Sequence, residues 1–538
     1  MKGVKFMLIG DTLEKHRRFY PHRTAITDGE KRLTYKEFVD RTYSLMHVLP
    51  DLGLSKGDRV ACLISNKPEY MELYFAITGS GMIIVPLNFR LGPDELRYIL
   101  ENSGASAIFV EKQFLPNTEA LRPVLKGIRA LVCLGGRSDQ GYLDYESLVS
   151  SYPTEKPEGI QVSEDDLADL TYTSGTTGRP KGVMLTHRNM VTQAFQITGF
   201  SLKFEGERDC IMGTYPLFHV GVLPALSGLC LGIKTVALNF DPRKIYEIIQ
   251  NERVTAWGVA PVMLDMLYQG GGDPGDYDLS SLETLVVAGQ PSLLPTVKKT
   301  FQVFPNPSLV YSTSLGISET FTWNTLSHIT RENLPEVESL ITSLPVQTAA
   351  VPAGLHGVYP HVEMKIVDGR RNEVGPGIVG EMAFKGEHVM KGYWKNPRAT
   401  AEVLEDGWYY SGDMGLWHPD KPYCSFVVDR KKDMIVSGSE NVYPAEVELA
   451  ILQHPAVESV CVFGVPDPKW GETVKAAVVL KEGRQATGDE LINHCRERIA
   501  SYKKPTSVYF VGDYPRNAFG KILKGELRNM VVEGRLKG

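Results

Sequence analysis

The chain has 538 residues, of which 43% are hydrophobic, and we expect two or more domains because a single core rarely grows this large. Its 58 lysine and arginine residues and 64 aspartate and glutamate residues give a net charge of -6. This balance argues against nucleic acid or an anionic membrane as the main partner, although it is compatible with a local basic patch.

Strand-like and helix-like segments alternate along the chain, which is the pattern of an α/β protein. The first pair is a buried strand over 59–64 and a helix over 68–79. Several continuous apolar runs of this kind predict parallel strands that are buried on both faces. Further strands are predicted over 82–86, 107–110, 130–134, 168–172, 254–259 and 284–288, and a further helix over 93–100.

The clearest domain boundary lies near residue 430, where the charged run Arg430-Lys431-Lys432-Asp433 follows two strand-like segments. We interpret this run as a solvated linker, since the pattern beyond it changes to a small α+β module that can carry its own core. We predict an N-terminal domain over 1–429, a hinge over 430–434 and a C-terminal domain over 435–538. In the C-terminal domain, strands are predicted over 457–463, 474–480 and 507–511, and a helix over 488–500.

The seven cysteines are scattered singly and form no Cys-x-x-Cys pair, which is typical of reduced thiols in a cytosolic protein. No segment approaches about 18 uninterrupted apolar residues, the length that predicts a transmembrane helix. No apolar run follows a basic N-terminus, so the sequence predicts no secretory leader. We expect the protein to be cytoplasmic.

The most informative segment spans 169–182, where small hydroxyl residues, three glycines and one lysine follow the end of a predicted strand. Glycines let backbone N–H groups approach an anion, and hydroxyl and ammonium groups add further donors. The segment is not a Walker A loop, because Pro180 separates Arg179 from Lys181. A polar surface loop is the alternative. The candidate polyphosphate-binding residues are Thr173, Ser174, Gly175, Thr176, Thr177, Gly178 and Lys181.

This segment resembles the phosphate-binding signature of the adenylate-forming superfamily, which includes acyl-CoA synthetases, peptide-synthetase adenylation domains and luciferases. The resemblance covers nearly the whole chain, from Arg32-Leu33-Thr34-Tyr35-Lys36-Glu37-Phe38 to Gly520-Lys521. It implies a large N-terminal domain of layered α/β subdomains and a small, mobile α+β C-terminal domain. It also implies ATP, Mg²⁺ and coenzyme A as cofactors, and a small-molecule carboxylic acid as the substrate.

A second motif, Tyr215-Pro216-Leu217-Phe218-His219-Val220-Gly221, resembles the superfamily segment that lies beside the carboxylate to be activated. By this resemblance His219 is a catalytic residue, whereas a lone histidine beside an apolar run is more often a core residue. Amino-acid-activating domains usually carry an aspartate at this place, which pairs with the α-ammonium group of their substrate. Because His219 replaces it, a substrate with a bare carboxylate fits better.

The segment Leu315-Gly316-Ile317-Ser318-Glu319 resembles the family motif Tyr-Gly-x-Thr-Glu. The resemblance places Gly316, Ile317 and Ser318 at the nucleotide and the new adenylate. It also makes Glu319, together with Ser174, a ligand of Mg²⁺, which prefers oxygen donors. A purely structural glutamate is the alternative.

The two motifs that the resemblance places near adenine depart from the family pattern. Leu315 replaces the aromatic residue that stacks near adenine, and Tyr311 could supply that ring if the loop is rearranged. The turn Gly289-Gln290-Pro291 stands where the family has a Gly-Gly/Ala-Ala/Glu-Pro turn at the adenine edge and acyl pocket. Gln290 is unusual there, so the sequence leaves the shape of the pocket open.

Two motifs lie near the predicted hinge. Tyr410-Ser411-Gly412-Asp413 matches a family motif in which the aspartate accepts protons from the two ribose hydroxyls. By resemblance Arg430 would contact ribose or phosphate. Lys432 falls on the residue about which the small domain rotates.

The predicted C-terminal domain carries two further motifs. The loop with Ser437 and Gly438 resembles the one that lines the pantetheine tunnel in acyl-CoA synthetases, where glycine leaves room for a thin ligand arm. A turn that needs positive φ is the alternative explanation of that glycine. Lys521 falls on the catalytic lysine of adenylation, and Lys524 replaces the commoner arginine.

The segment 320–358 is longer than its counterpart in the family and carries no recognisable motif. Three interpretations stay open at this point. It could shape the acyl pocket, it could form a subunit contact in a homodimer, or it could be a surface elaboration.

Together these motifs predict an AMP-forming acyl-CoA ligase that activates a medium-chain, long-chain or related fatty acid to an acyl-adenylate and transfers it to coenzyme A. An aryl acid, of the benzoate kind, is the alternative substrate. A carrier-protein pantetheine is the alternative acceptor. A homologue that binds nucleotide without turnover is the remaining alternative, although most motif positions are intact.

The assignment of Lys521 to the first half-reaction makes a prediction for Lys521→Ala. Acyl-adenylate formation should fall by about 10²–10³ or more, the usual loss when a charge that stabilises a transition state is removed. Supplied acyl-adenylate should still be converted to the thioester, and single-turnover assays of each half-reaction measure both rates. An equal loss in both half-reactions would contradict the assignment.

Overall fold

A computed structural model describes residues 7–136, 141–173, 179–201, 207–219, 221–346, 348, 350–438, 440–516 and 522–536 of the chain. It forms two compact units. The larger unit consists of Met1–Leu334, Ala353–Met364 and Phe384–Tyr409, and the smaller unit consists of Pro335–Pro352, Lys365–Ala383 and Tyr410–Gly538.

The helices of the described residues are mostly short. Three 3₁₀ turns accompany them at Lys112–Phe114, Pro274–Asp276 and Ser318–Thr320. The α-helices are α1 (Leu13–Phe19), α2 (Tyr35–Asp51), α3 (Pro68–Gly79), α4 (Pro93–Ser103), α5 (Leu115–Glu119), α6 (Arg122–Leu125), α7 (Tyr145–Ser150), α8 (His187–Ser201), α9 (Val222–Leu231), α10 (Ile245–Glu252), α11 (Pro261–Gly270), α12 (Leu294–Val303), α13 (Leu334–Thr342), α14 (Pro397–Val403), α15 (Pro444–Leu452), α16 (Gly488–Arg496) and α17 (Lys524–Val532). None of the helices within the described ranges is long and apolar enough to cross a membrane.

The described residues form 28 strands, β1 to β28. In chain order they are β1 (Thr24–Thr27), β2 (Arg32–Thr34), β3 (Arg59–Leu63), β4 (Ile83–Pro86), β5 (Ala107–Glu111), β6 (Ala130–Leu134), β7 (Leu143–Asp144), β8 (Leu167–Thr173), β9 (Lys181–Thr186), β10 (Cys210–Gly213), β11 (Lys234–Ala237), β12 (Ala256–Val259), β13 (Thr284–Val287), β14 (Val310–Thr313), β15 (Gly316–Ile317), β16 (Thr322–Trp323), β17 (Ser327–Ile329), β18 (Glu363–Val367), β19 (Gly380–Lys385), β20 (Gly392–Tyr393), β21 (Leu404–Glu405), β22 (Trp408–His418), β23 (Lys421–Arg430), β24 (Ile435–Ser437), β25 (Glu440–Val442), β26 (Val457–Asp467), β27 (Gly471–Leu480) and β28 (Ser507–Phe510).

Two eight-stranded sheets form the framework of the larger unit. Their strand orders are β17-β14-β13-β12-β10-β11-β1-β2 and β20-β9-β8-β4-β3-β5-β6-β7. The central strands run parallel, and the antiparallel pairs lie toward the ends of each order. Strands such as β4, β5 and β13 are buried along their whole length, as expected of parallel strands covered by helices on both faces. The predicted α/β class is therefore confirmed.

Two five-stranded sheets and the two-stranded β15–β16 hairpin complete the sheets of the described residues. One has the order β18-β19-β22-β21 with β23 on β22, and the other has β25-β24-β27-β26 with β28 on β27. The second sheet packs its buried valines and isoleucines against α15 and α16, which gives the C-terminal part a core of its own. The α+β pattern predicted beyond residue 430 is present, whereas the hinge over 430–434 stays a prediction.

The predicted elements agree with the observed ones most closely where apolar runs are longest. Helix α3 and strand β6 have the predicted bounds. The helix predicted over 488–500 is shorter and ends at Arg496. The prediction was wrong there, since the N–H groups of Arg498 and Ile499 both donate to the carbonyl of Cys495 and the chain tightens into turns.

A buried ion pair fixes α2 against α3 and α7 in the larger unit. Glu72 is fully buried on α3, and its carboxylate accepts hydrogen bonds from Arg41 Nε at 2.8 Å and from the Tyr145 hydroxyl at 2.6 Å. Burial raises the pKa of Glu72, and the facing Arg41 opposes that rise. Arg41 is therefore the strongest of the groups that favour the ionised form of this carboxylate.

Removal of one partner of this pair should be costly. We expect Arg41→Met to lower the free energy of unfolding by about 3 kcal/mol, because Glu72 is left buried without its cation. The exposed Arg243, which pairs with Asp241 at 2.9 Å, supplies the control, and Arg243→Met should leave the free energy of unfolding nearly unchanged because surface ion pairs contribute little. Urea unfolding followed by circular dichroism measures both, and equal effects would refute the argument.

Candidate active site

A largely apolar cavity opens in the larger unit where several strands end. Its empty volume, with the open mouth included, is about 520 Å³. Its walls come from strands β8 and β9, the residues directly after β13, the turn before α9 with the first residue of that helix, and the β15–β16 hairpin. The lining residues are Thr171, Leu185, His219, Val222, Ala288, Gly289, Gly316, Ile317, Ser318, Phe321, Thr322 and Trp323.

Half of this lining comes from one short segment, residues 316–323, which we call the cavity hairpin. Gly316 pairs with Trp323 and Ile317 with Thr322, and the 3₁₀ turn Ser318–Thr320 lies between the strands. A Cβ on Gly316 would lie 3.0 Å from the Thr322 carbonyl oxygen and 3.2 Å from Trp323 Cδ1. Glycine is therefore required here for close approach of the two strands.

The backbone of the cavity hairpin is strained. Phe321 has φ of 44° and Thr322 has φ of 95°. Residues other than glycine rarely adopt backbone angles in this left-handed region, and a β-branched residue such as threonine is especially disfavoured there. Strain of this kind costs on the order of 1–3 kcal/mol and persists where the surroundings fix the conformation.

Two buried amide side chains hold the hairpin in place. Gln193 Nε2 donates to the carbonyl oxygens of Thr320 at 2.9 Å and Trp323 at 2.8 Å. Asn324 Nδ2 donates to Thr320 Oγ1 at 2.9 Å, and Asn324 Oδ1 accepts from His388 Nε2 at 2.9 Å. Burial lowers the pKa of His388 to about 3, so its ring is neutral and can serve as this single donor.

The turn of the hairpin presents a buried carboxylate. Glu319 Oε1 accepts a hydrogen bond of 2.7 Å from the Tyr393 hydroxyl, and the Glu319 carbonyl accepts one of 2.8 Å from the Met390 N–H. The ammonium group of Lys181 lies 4.9 Å from the centre of the Tyr393 ring. The structure thus brings Lys181 and Glu319, two residues from different sequence motifs, to either side of one tyrosine.

His219 also lines the cavity, in the turn before α9. Asn66 holds this turn, because its amide donates to the Tyr215 carbonyl at 2.7 Å and accepts from the Leu217 N–H at 2.8 Å. Burial lowers the pKa of His219, so the imidazole is neutral near pH 7. The Tyr215 hydroxyl accepts from the Ala288 N–H at 2.8 Å and so joins this turn to the end of β13.

A buried acid lies behind the cavity wall on β8. The Asp169 carboxylate accepts hydrogen bonds from Thr171 Oγ1 at 2.6 Å and from the Tyr74 hydroxyl at 3.0 Å. Burial raises the pKa of Asp169 to about 6, and the two hydrogen bonds oppose the rise. Thr171 lines the cavity, but its hydroxyl donates to Asp169 and not to a group in the cavity.

Some of the predicted site residues do not meet at the cavity. Gln290 and Pro291 are exposed beyond the end of β13 and are not part of its lining. Tyr311 is fully buried in β14, where its hydroxyl donates to Ser292 Oγ at 3.0 Å. The idea that it replaces the missing adenine-stacking ring is therefore not supported in this conformation. Thr173, the last residue of β8, pairs with Lys181, the first residue of β9. Ser174, Gly175, Thr176, Thr177, Gly178 and Lys521 lie outside the described residues.

The smaller unit carries the remaining predicted residues. Asp413 and Arg430 are paired across β22 and β23, and Arg430 Nε lies 2.8 Å from Asp413 Oδ1. Lys432 is exposed in the turn that follows β23. Ser437 ends β24, and Gly438 follows it with φ of 61°.

Gly438 packs against a half-exposed tryptophan rather than open space. A Cβ at this position would lie 2.9 Å from Trp470 Cε3, and the Gly438 N–H donates to the Trp470 carbonyl at 2.8 Å. The positive φ and the close contact each require glycine. The conformational explanation of this glycine is therefore sufficient, and its role at a pantetheine tunnel stays a prediction.

Two family models match the chain. The model of the AMP-binding enzyme matches residues 13–394, and that of the AMP-binding enzyme C-terminal domain matches residues 446–521. The protein belongs to the AMP-binding enzyme family. It has the adenylate-forming fold, a large N-terminal α/β domain followed by a smaller C-terminal domain, and by its family it is an AMP-forming acid–thiol ligase. The recognition and the reaction class predicted from the motifs are confirmed.

Similar proteins differ in the acid and in the acceptor that their names give. A feruloyl-CoA synthase of an Amycolatopsis species is 37% identical over 97% of this chain and 98% of its own. The fatty acid–[acyl-carrier-protein] ligase ScoC of Streptomyces coeruleorubidus is 32% identical over 96% of this chain and 95% of its own. The solved structure of the anthranilate CoA ligase AuaEII with anthranoyl-AMP has a TM-score of 0.85 at 25% identity, over 99% of both chains.

Sequence reasoning missed three groups of site residues. Tyr393 binds Glu319 from a β-strand 74 positions along the chain, and no local pattern links the two. Asp169 and Thr171 lie in a predicted strand, and no sequence motif assigns a role to either. Thr322 and Trp323 were left within the uninterpreted segment 320–358, although their position directly after the Glu319 motif was an available signal. Their presence in the lining favours the acyl-pocket interpretation of that segment.

Asp169 makes a pH-dependent prediction. Its pKa is about 6 in the folded state and near 3.8 in the unfolded chain, so the folded state binds more protons between these values. Protonated Asp169 therefore adds to the free energy of unfolding below about pH 4, and this contribution is lost as the pH rises through about 6. Asp169→Asn removes this titration, and its free energy of unfolding relative to the unchanged protein should rise by about 1–3 kcal/mol between pH 4 and pH 7.5.

Urea unfolding of both proteins across that pH range measures the effect. Asp28→Asn, a change in a partly exposed carboxylate of the β1–β2 turn, is the control, and the difference in stability between this variant and the unchanged protein should vary much less with pH. A difference between Asp169→Asn and the unchanged protein that does not vary with pH would refute the argument.

Proposed function

We propose that the protein joins an aromatic carboxylic acid to coenzyme A through an acyl-adenylate. One observation carries the proposal. The cavity hairpin lines an apolar cavity with Gly316, Ile317 and Ser318, and the next residue, Glu319, is held by Tyr393 beside Lys181. A bound acid would thus place its carboxylate where the apolar cavity meets the residues that sequence motifs assign to ATP.

In the first half-reaction a carboxylate oxygen attacks the α-phosphorus of ATP and pyrophosphate leaves. Positioning and charge stabilisation dominate such phosphoryl chemistry. Neutral His219 would lie beside the carboxylate without adding a competing charge. Lys181 and the hydroxyl-rich segment after Thr173 would bind the phosphates, and Lys521 would neutralise the charge that develops between the carboxylate and the α-phosphate.

Glu319 fits the role of a protein ligand for Mg²⁺. Its carboxylate is buried, and Tyr393 fixes one of its oxygens by a hydrogen bond without supplying a competing cation. Mg²⁺ usually takes one or two carboxylates together with substrate phosphates and water. Within the described residues no cluster of three or more histidine, cysteine, aspartate or glutamate side chains could hold a metal alone. The ion would offset negative charge on the polyphosphate.

In the second half-reaction the thiol of coenzyme A attacks the acyl carbon and AMP leaves. The smaller unit would supply Asp413 and Arg430 for the ribose and phosphate, and these two side chains are already paired. We further propose that Lys432 is the pivot and that Ser437 and Gly438 meet the pantetheine arm. A carrier-protein pantetheine is the alternative acceptor, and no feature of the described residues favours it.

The walls of the cavity favour an aromatic acid over a long fatty chain. Phe321 and Trp323 supply flat surfaces, which pack with aromatic rings in offset or edge-to-face geometry. The names of similar proteins do not decide the question, since a feruloyl-CoA synthase and a fatty acid ligase are both among them. The proposal of an aromatic acid therefore depends on the aromatic residues that line the cavity.

Exchange of labelled pyrophosphate into ATP tests the proposal and the role of Tyr393 together. We expect exchange to depend on an added acid, with benzoate-like and phenylpropenoate-like acids preferred to saturated fatty acids. Tyr393→Phe should lower the exchange rate by about tenfold and raise the Mg·ATP concentration needed for half-saturation, because Glu319 loses the hydrogen bond that orients it.

Tyr268→Phe is the matched control, since it removes a buried hydroxyl that contacts Thr300 Oγ1 at 2.6 Å, away from the cavity lining. It should leave the exchange rate nearly unchanged. Exchange that requires no acid would refute the function, and a preference for long saturated chains would refute the aromatic assignment alone.

A further inference from the structure

The C-terminal end of helix α4 contacts two parts of the chain that the proposed adenylation chemistry uses. The Tyr172 hydroxyl, in β8, donates to Asn102 Oδ1 at 2.7 Å. Trp394 Nε1 and Lys395 Nζ donate to the Asn102 backbone carbonyl at 3.1 Å and 2.8 Å. Asn102 therefore joins the strand that leads into the candidate polyphosphate-binding residues to the segment that directly follows Tyr393.

The side chains that bind Asn102 also meet each other beside Lys181. Tyr172 pairs with Gly182, the residue after Lys181, and the Trp394 N–H donates to the Gly182 carbonyl at 2.8 Å. A Cβ on Gly182 would lie 3.1 Å from Tyr172 Cζ and 3.2 Å from Trp394 Cβ. The tyrosine and the tryptophan thus pack on the same point of β9, next to the lysine that the sequence assigns to phosphate.

The backbone carbonyl of Asn102 lies in the last turn of α4, where carbonyl groups lack a partner within their own helix. Arg59 binds the next two carbonyls along the chain, at 2.9 Å and 2.6 Å. Lys395 reaches the Asn102 carbonyl from a backbone with φ of 52°, which residues other than glycine rarely adopt. Such a conformation persists where its surroundings fix it, so the link from α4 to the segment after Tyr393 is a firm one.

Helix α4 also contacts the chain on the far side of the candidate polyphosphate-binding residues. The guanidinium carbon of Arg179 lies 5.5 Å from the centre of the Tyr98 ring. Tyr98 and Asn102 are four residues apart and therefore lie on one face of the helix. Arg179 is exposed, whereas the hydrogen bond between Tyr172 and Asn102 is partly buried, so we assign the larger effect to Asn102.

We infer that Asn102 is a positioning residue for adenylation, which keeps the phosphate-binding Lys181 and the proposed metal ligand Glu319 at a fixed separation. This inference rests on the proposed function and adds to it a residue that acts through other side chains. The ammonium group of Lys181 lies 4.9 Å from the centre of the Tyr393 ring, and the Tyr393 hydroxyl binds Glu319 at 2.7 Å. A shift of β9 relative to β20 therefore changes the distance between the ammonium group and the carboxylate.

Two variants remove the side-chain contact from its two ends. Asn102→Leu removes the acceptor and Tyr172→Phe removes the donor, and neither residue lines the cavity. Calorimetric titration of the full chain with Mg·ATP, without acid, should show binding weakened by about three- to tenfold in each, the range expected for one hydrogen bond. In acid-dependent pyrophosphate exchange the half-saturating Mg·ATP concentration should rise by a similar factor. The half-saturating acid concentration should change by less than about twofold.

Three further variants separate positioning from a general loss of structure. Asn102→Asp keeps an acceptor at the same place and should restore Mg·ATP binding to within about twofold of the unchanged protein. The double variant with Asn102→Leu and Tyr172→Phe should bind about as strongly as the weaker single variant, because both changes remove the same contact. Tyr268→Phe removes a buried hydroxyl that contacts Thr300 Oγ1 and should leave Mg·ATP binding unchanged.

The possible failures are distinct. Unchanged Mg·ATP binding in both folded single variants would overturn the inference and leave the ligase intact. A parallel rise in the half-saturating concentrations of acid and Mg·ATP would do the same, as would additive effects in the double variant. Absence of exchange with every acid would overturn the proposed function and the inference with it. Thermal unfolding of each variant identifies a lost fold, and Tyr172→Phe, which keeps the ring on Gly182, supplies the answer if Asn102→Leu does not fold.

Discussion

The conformation of the cavity hairpin depends on hydrogen bonds from side chains that lie far from it in the sequence. Gln193 on α8 donates to two of its carbonyls, and Asn324 ties its turn to His388. These contacts matter because the hairpin is strained at Phe321 and Thr322, and strain persists only where surrounding contacts determine the conformation. Since this segment lines the cavity and also carries Glu319, the same hydrogen bonds fix the cavity wall and the proposed metal ligand together.

The electrostatic character of the cavity follows from burial. Desolvation keeps His219 neutral on one wall and raises the pKa of Asp169 behind another. The charged side chains of Lys181 and Glu319 lie instead on either side of Tyr393. The proposed apolar acid and polyphosphate require opposite environments, and the change from one to the other falls at a single residue step, from Ser318 in the lining to Glu319 outside it.

One hairpin carries both the residues that resemble the family motif and the aromatic walls of the cavity. We propose that Gly316 to Glu319, the motif residues, serve the adenylation step. The residues after it, Phe321 to Trp323, lie outside that motif and supply the aromatic walls of the cavity. Variation in the acid is expected in this second part, because it changes the cavity without disturbing the turn that holds Glu319.

The sequence by itself determined the fold class, the reaction class and the local elements. Buried runs such as 130–134 specify strands, and the cluster of glycine, hydroxyl and lysine residues after β8 carries its chemistry in adjacent positions. Only the tertiary structure decided which distant residues meet, because the contacts of Tyr393 with Glu319 and of Gln193 with Trp323 join segments that no periodicity connects. It also decided the backbone at Gly438 and Thr322, since a positive φ depends on what packs against the turn, at Gly438 the ring of Trp470, and not on the residue alone.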